Sequence, residues 1–231
     1  MLLFKNVKKN FRNFTLDIPY LSVGLGETIG LVGNNGAGKT TFLKLLLDLF
    51  QLDEGEINNF GERVNLSEDW KKSTGSYLDE NFLIPYLKPF EYLKVIQNLK
   101  EISEKQFDQF LTKIDSFSGD TINSENYIRE LSRGNKLKIG ITGALINNPR
   151  LLILDEPFSN LDPTTRLYLS NYLNTFRTKK SISIISSHNL DNIRRICNRF
   201  ILLDDGKVII DKPNKKQSFA DVEKYFNKQI V

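Results

Sequence analysis

The stretch Gly33-Asn34-Asn35-Gly36-Ala37-Gly38-Lys39-Thr40-Thr41 constrains this chain more than any other. It has the form G-x-x-x-x-G-K-[ST]; the apolar run Thr28–Val32 before it reads as a buried strand, and residues 42–50 after it read as an apolar helix. Strand, glycine-rich turn and helix in that order make a P-loop. Glycines at 33, 36 and 38 let the backbone aim successive N–H groups inward at phosphate oxygens. The helix N-terminus adds its partial positive charge. Lys39 is then expected to reach the β- and γ-phosphates, and the Thr40 hydroxyl to ligate Mg²⁺. A chance match in a flexible loop is the alternative, and the strand and helix on either side argue against it.

With 231 residues, 40% hydrophobic and 26% charged, the chain has the composition of a soluble globular protein with a real core. Its net charge of +4 is too small to choose among nucleotide, nucleic acid and an anionic membrane face. One cysteine, Cys197, excludes an intrachain disulfide and fits a reducing compartment; as a small buried hydrophobe it needs no further role. Lys5, Lys8, Lys9 and Arg12 interrupt every apolar run near the N-terminus, unlike a signal peptide. No stretch approaches the roughly 18 apolar residues of a spanning helix, so any membrane role is expected to be carried by a partner.

Residues 2–4 and 14–18 read as two short strands joined by a basic turn, an antiparallel flap leading into the P-loop strand. Residues 53–56 and Gly61 read as turns, Ser67 as the cap of a short helix carrying Trp70, and residues 75–78 as a strand. From Pro89 to about Asn148 the pattern is helical, with helices over 91–100 and 103–114 and a helix starting over 136–146. Apolar runs at 151–154, 182–185 and 200–203, with helical stretches between them, imply a parallel sheet covered on both faces. Asp204-Asp205-Gly206-Lys207 reads as a hairpin turn into residues 208–210, and residues 212–217 as a basic linker. Ser218 then caps a last helix, about 218–229. The expected fold is α/β: a mostly parallel sheet, an N-terminal antiparallel β subdomain and an inserted helical subdomain over about 79–149, all in one domain of residues 1–231.

Leu151-Leu152-Ile153-Leu154-Asp155-Glu156 is an apolar strand ending in two acids, about 120 residues after the P-loop. Such a strand brings Asp155 to the carboxyl end of the sheet, where it can hold Mg²⁺, and leaves Glu156 to orient or deprotonate an attacking water. In isolation an acidic pair after a strand is often a solvated turn; the P-loop upstream shifts the balance. His188, the single histidine, follows the strand at 182–185. A lone histidine is usually structural, but this one ends a strand of the same sheet.

With these elements in this order, residues 2–212 resemble the ATP-binding cassette (ABC) family of ATPases. Leu131-Ser132-Arg133-Gly134-Asn135 looks like the family signature L-S-G-G-Q, with Arg133 and Asn135 departing from it, and lies about 20 residues before the acidic strand. Ser159-Asn160-Leu161-Asp162 matches the family's D-loop and His188 its switch histidine. The resemblance implies a P-loop NTPase core, ATP as substrate and Mg²⁺ as cofactor. It implies Glu156, His188 and Lys39 as catalytic residues, and Thr40, Asp155 and Glu80 at the metal. Nucleotide contacts would come from Asn34, Asn35, Gly36, Ala37, Gly38, Lys39, Thr40 and Thr41, and from Glu80, Ser132, Gly134 and Asp162. Family members have a glutamine where this chain reads Asp79-Glu80-Asn81, so Glu80, or else Asp79, stands in, unless both belong to a surface turn. A carboxylate keeps the oxygen ligand but adds charge near the metal. The family also stacks an aromatic on adenine; Phe11 is the best match, with Phe14 the competitor.

The resemblance further implies a head-to-tail dimer, of two copies or with a homologous cassette. It implies an energy-coupling role in transport: cytoplasmic, peripheral on the inner face of the membrane through a separate permease subunit, with no nucleic-acid partner. Phe82, Leu83, Ile84, Tyr86 and Leu87 are expected to contribute to the docking surface, although such a run is more often core. The alternative is a soluble ABC-type ATPase that remodels a ribosome, a nucleic acid or an assembly complex.

Overall fold

The computed structural model describes residues 1–228, with the side chains of Asn227 and Lys228 left aside. Its contacts divide the chain into two compact units, Met1–Trp70 with Arg177–Val231, and Lys71–Phe176.

In the first unit, strands β1 (Leu2–Phe11), β2 (Phe14–Val23), β4 (Glu54–Asn59) and β5 (Glu62–Arg63) form an antiparallel sheet in the order β2-β1-β4-β5. Inward residues alternate in β2, with Leu16 and Ile18 buried and Asp17 between them less so. The flap strands are longer than the apolar pattern predicts, and Lys5, Lys8 and Lys9 lie within β1 rather than in a turn. The expected turn at 53–56 is corrected in the same way, because Glu54 opens β4. Cross-strand charge explains both: Lys5 meets Glu56 at 3.2 Å, Lys8 meets Glu54 at 3.6 Å and Lys9 meets Asp53 at 2.8 Å. Each such surface pair contributes little alone; the ladder shifts register between Lys5 and Lys8, so Lys5–Glu56 lies on one side of the shift and the other two pairs on the other.

The same unit holds β3 (Thr28–Val32), β8 (Ile182–Ser187), β9 (Arg199–Asp204) and β10 (Lys207–Pro213). β3 pairs in parallel with β8 and with β9, and β9 pairs antiparallel with β10. All five residues of β3 are buried, as a strand covered on both faces must be. The helix after the P-loop, α1 (Lys39–Leu46), starts three residues earlier than expected and ends at Leu46 rather than Phe50, where Asp48 turns left-handed at φ 55°. The expected linker at 212–217 shrinks to residues 214–215 between β10 and the last helix, α8 (Lys216–Lys228), so Ser218 lies inside α8 rather than capping it. Residue 229, the expected end of that helix, lies outside the described residues.

The second unit contains α2 (Asp69–Lys72) in part, the parallel pair β6 (Thr74–Tyr77) and β7 (Leu151–Leu154), and four longer helices. α3 (Pro89–Leu99) starts on proline, and α4 (Glu104–Ser118) is capped by Ser103, whose hydroxyl accepts from Gln106 N. α5 (Arg133–Leu145) begins three residues before the expected start, because Ser132 is its N-cap. α6 (Pro163–Phe176) follows β7, and in the first unit α7 (Leu190–Ile196) follows β8. Among the described residues, no helix is long and apolar enough to cross a membrane.

Candidate functional site

The P-loop stands at the carboxyl end of β3. Gly33, Gly36 and Gly38 take φ of 155°, 85° and 102°, and Gly38 is the N-cap of α1. A Cβ at 38 would lie 2.7 Å from the Phe14 ring tip, so both the dihedral and the space require glycine there. The first turn of α1 carries no acid, which leaves its amides to an anion. Asn34, Asn35, Gly36 and Thr40 are exposed on the loop, Ala37 is buried and Thr41 is half-buried. Lys39 is 8% exposed, and its ammonium donates to Gly33 O at 2.7 Å and Asn34 O at 3.1 Å. A buried cation beside a glycine-rich turn at a helix N-terminus has the donors that a phosphate cradle needs.

His188 is brought to the same place by register. Ser187, the last residue of β8, pairs with Val32, the last of β3, in parallel, so His188 and Gly33 leave the same end of adjacent strands. Three local bonds fix the backbone that follows it. Asn189 N donates to Ser187 Oγ at 3.0 Å, and Asn189 Oδ1 caps α7 by accepting from Asp191 N and Asn192 N. His188 itself is exposed.

Phe11 is 41% exposed, edge-on to Phe50 at 5.7 Å and near Phe14 at 6.1 Å. Phe14 is half-buried with its ring tip toward Gly38, so Phe11 is the ring that can offer a face to a base. Phe11→Ala is expected to weaken ATP binding about fivefold while Phe11→Trp restores it, the size of one aromatic stacking contact. Equal affinities for all three proteins, by calorimetric titration, would remove Phe11 from the nucleotide site.

The second unit assembles the acids. β7 is fully buried, and Asp155 at its end is 8% exposed, its N–H donating to Tyr77 O at 2.9 Å. Glu156 adopts a left-handed φ of 49°, a conformation that costs a non-glycine residue about 1 kcal/mol. It is held by Ser159, whose N–H and hydroxyl both donate to Glu156 O, at 3.1 and 2.8 Å. A cavity of about 290 Å³ is lined by Glu80, Arg133, Asp155, Glu156, Ser159 and Asn160 among others.

Asp79 and Glu80 are separated by the structure. Asp79 accepts from Asn81 N at 2.7 Å and caps the 3-10 turn Glu80–Phe82, whereas Glu80 faces Lys136 of α5, Nζ to Oε2 2.9 Å. The extra negative charge that glutamate brings is therefore paired. Ser132 is exposed, with its hydroxyl accepting from Asn135 N at 3.3 Å, and a Cβ on Gly134 would lie 2.8 Å from Asn160 O. Asp162 caps α6: Thr165 N donates to Oδ1 at 3.0 Å and Thr165 Oγ1 to Oδ2 at 2.5 Å. The Thr165 hydroxyl, before its amide, holds the Asp162 carboxyl below the usual carboxylate range. Both its oxygens thus serve its own helix. Sequence reasoning missed the left-handed Glu156, the pairing of Lys136 with Glu80 and the place of Arg133 in the cavity wall; the Arg-for-Gly departure in the signature was the available signal for Arg133.

As for cofactors, glycine amides and a buried lysine suit triphosphate. Thr40, Asp155 and Glu80 are hard oxygen donors of the kind Mg²⁺ takes.

A family model described as ABC transporter matches residues 16–159. The chain is 31% identical over 232 residues to the lantibiotic transport ATP-binding protein SrtF of Streptococcus pyogenes, covering 100% of this chain and 98% of that protein. It is 33% identical over 218 residues to ABC transporter A family member 11 of Dictyostelium discoideum, covering 91% of this chain but 26% of that much longer protein. A dimeric post-hydrolysis structure of the ATP-binding cassette MJ0796, bound to ADP and Pi, superposes with a TM-score of 0.81 over 93% of this chain and 99% of that one, at 23% identity. The fold is that of a cassette, and the family match extends through the P-loop and the acidic strand: this chain belongs to the ABC transporter family, as one of its ATPase cassettes.

Proposed function

We propose that this chain is the ATP-hydrolysing, energy-coupling subunit of a transporter, which dimerises on ATP and docks on a separate membrane subunit. Its place would be the cytoplasm, on the inner membrane face. The observation that carries the docking reading is a set of exposed apolar side chains in the second unit, Phe82 (48%), Ile84 (41%), Tyr86 (68%), Phe90 (41%) and Tyr127 (42%); Leu83, expected on the same surface, is instead buried in the core and Leu87 is half-buried. Arg129 lies over both Tyr86 and Tyr127, at 5.2 and 5.3 Å from the ring centroids. Apolar residues grouped in this way are a surface for a partner. The similarity to a lantibiotic transport ATP-binding protein supports the transport setting, and the MJ0796 dimer supports the pairing.

In the proposed cycle the P-loop amides and Lys39 bind the β- and γ-phosphates. Glu156 orients and deprotonates the attacking water, with His188 beside the γ-phosphate. Ser132 and Gly134 of a second copy, or of a homologous cassette, supply donors to the same ATP. Closure then depends on contacts that hydrolysis removes. Thr40, Asp155 and Glu80 would hold Mg²⁺, which supplies charge neutralisation at the phosphates.

The docking reading is tested by pull-down of the tagged chain from detergent-solubilised membranes. A polytopic membrane protein in stoichiometric amount is expected, and Tyr86→Asp with Phe90→Asp should release it while leaving ATP turnover of the isolated chain within about twofold. Recovery of soluble assembly or ribosomal factors in its place would overturn the transport reading and leave the ATPase intact.

A further inference from the structure

The peptide joining Ala37 to Gly38 is held from outside its own loop. Ala37 O accepts from Gly206 N at 3.0 Å, and Gly206 O accepts from Asp17 N at 2.9 Å, so one glycine of the β9–β10 turn bridges the P-loop and β2. A trans peptide is planar, and its C=O and N–H point to opposite sides. Fixing Ala37 O on the turn therefore aims the Gly38 N–H away from the turn. Nothing in the local sequence does this: Gly38, at φ 102°, tolerates either orientation of the preceding peptide.

We propose that Gly206 is a positioning residue for nucleotide binding, its amide holding the Ala37–Gly38 peptide with the Gly38 N–H turned toward phosphate. This rests on the reading of residues 33–41 as the phosphate cradle. If the Gly206 bond is lost, Ala37 O is left without that partner, and a flipped peptide presents a carbonyl oxygen, not a donor, to the anion.

The turn is built for rigidity. Asp205 and Gly206 are both left-handed, at φ 41° and 74°, the pair of dihedrals that closes a tight two-residue hairpin. A Cβ at 206 would lie 2.0 Å from Thr15 O and 3.0 Å from Leu16 Cα, so no side chain fits. On its near side, Leu203 O stands 2.3 Å from where a Cβ on Gly33 would be. Tyr225 of α8 donates to Asp204 Oδ2 at 2.5 Å, which ties the C-terminal helix to the first residue of the turn.

Any side chain at 206 would disturb packing, so the test removes the N–H alone, by an amide-to-ester replacement of Gly206 with glycolate in the full chain. ADP affinity by calorimetry is expected to fall about five- to tenfold. The KM for ATP should rise by a similar factor, with kcat at saturation and the melting temperature of the nucleotide-free protein unchanged. The same replacement at Ile210, in the β9–β10 ladder, should leave ADP affinity as it was. Native ADP affinity in the 206 ester overturns the proposal. So does an equal loss in both esters, or a fall in melting temperature that accounts for the lost affinity. Lys39→Ala separates the two readings, since ADP binding that survives in that variant refutes the cradle itself, whatever the esters do.

Discussion

Glu156→Gln is expected to bind ATP and hydrolyse it about a thousandfold more slowly, the contribution a positioned general base makes. The substitution keeps side-chain length and places no new demand on the left-handed backbone at 156, which Ser159 holds through the carbonyl of residue 156 rather than through its side chain. What is lost is the basic oxygen. With ATP intact, the variant should elute as a dimer on size exclusion in ATP and as a monomer in ADP, because in the proposed cycle γ-phosphate contacts to Ser132 and Gly134 persist only while hydrolysis is blocked. Phosphate release at the native rate would move the base to another group lining the same cavity, with Asp155 the first to examine.

Lys39→Ala should raise the dissociation constant for ATP about a hundredfold, since it deletes a charge-assisted donor from the middle of the cradle. The substitution also leaves Gly33 O and Asn34 O without the ammonium that they now receive. A relaxed loop therefore contributes to the effect of the alanine variant. Lys39→Met keeps the apolar stem in its buried channel and isolates the charge; it should bind ATP as poorly as the alanine variant while melting nearer to the unaltered chain. Ordinary ATP affinity in either protein would refute the phosphate role of residues 33–41.

Much of this site was legible because its chemistry is local. The glycines of the P-loop, the lysine after them and the strand before them are consecutive residues, so dihedral preference and hydrogen-bonding capacity are written at adjacent positions. The fully apolar runs that became β3 and β7 were equally plain, because a parallel strand covered on both faces needs no alternation. The errors occurred where local signals were outvoted. Residues 53–56 have turn composition, yet the lysines of β1 draw Glu54 and Glu56 into a ladder. Ser218 has a capping side chain, but it lies within α8, whose Phe219 packs on Phe200 of β9.

The sequence by itself determined the family and the motifs that mark it, since both rest on residue types at fixed short spacing. Only the tertiary structure decided which acid does what. Asp79 became a cap and Glu80 an ion pair with Lys136, 56 positions later in the chain. Only the fold, too, brought Gly206 to Ala37, across 169 positions. Neither partner carries a mark of the other in its own neighbourhood. Which backbone groups meet at such separations is set by how strands and helices pack, and that is a property of the folded chain as a whole.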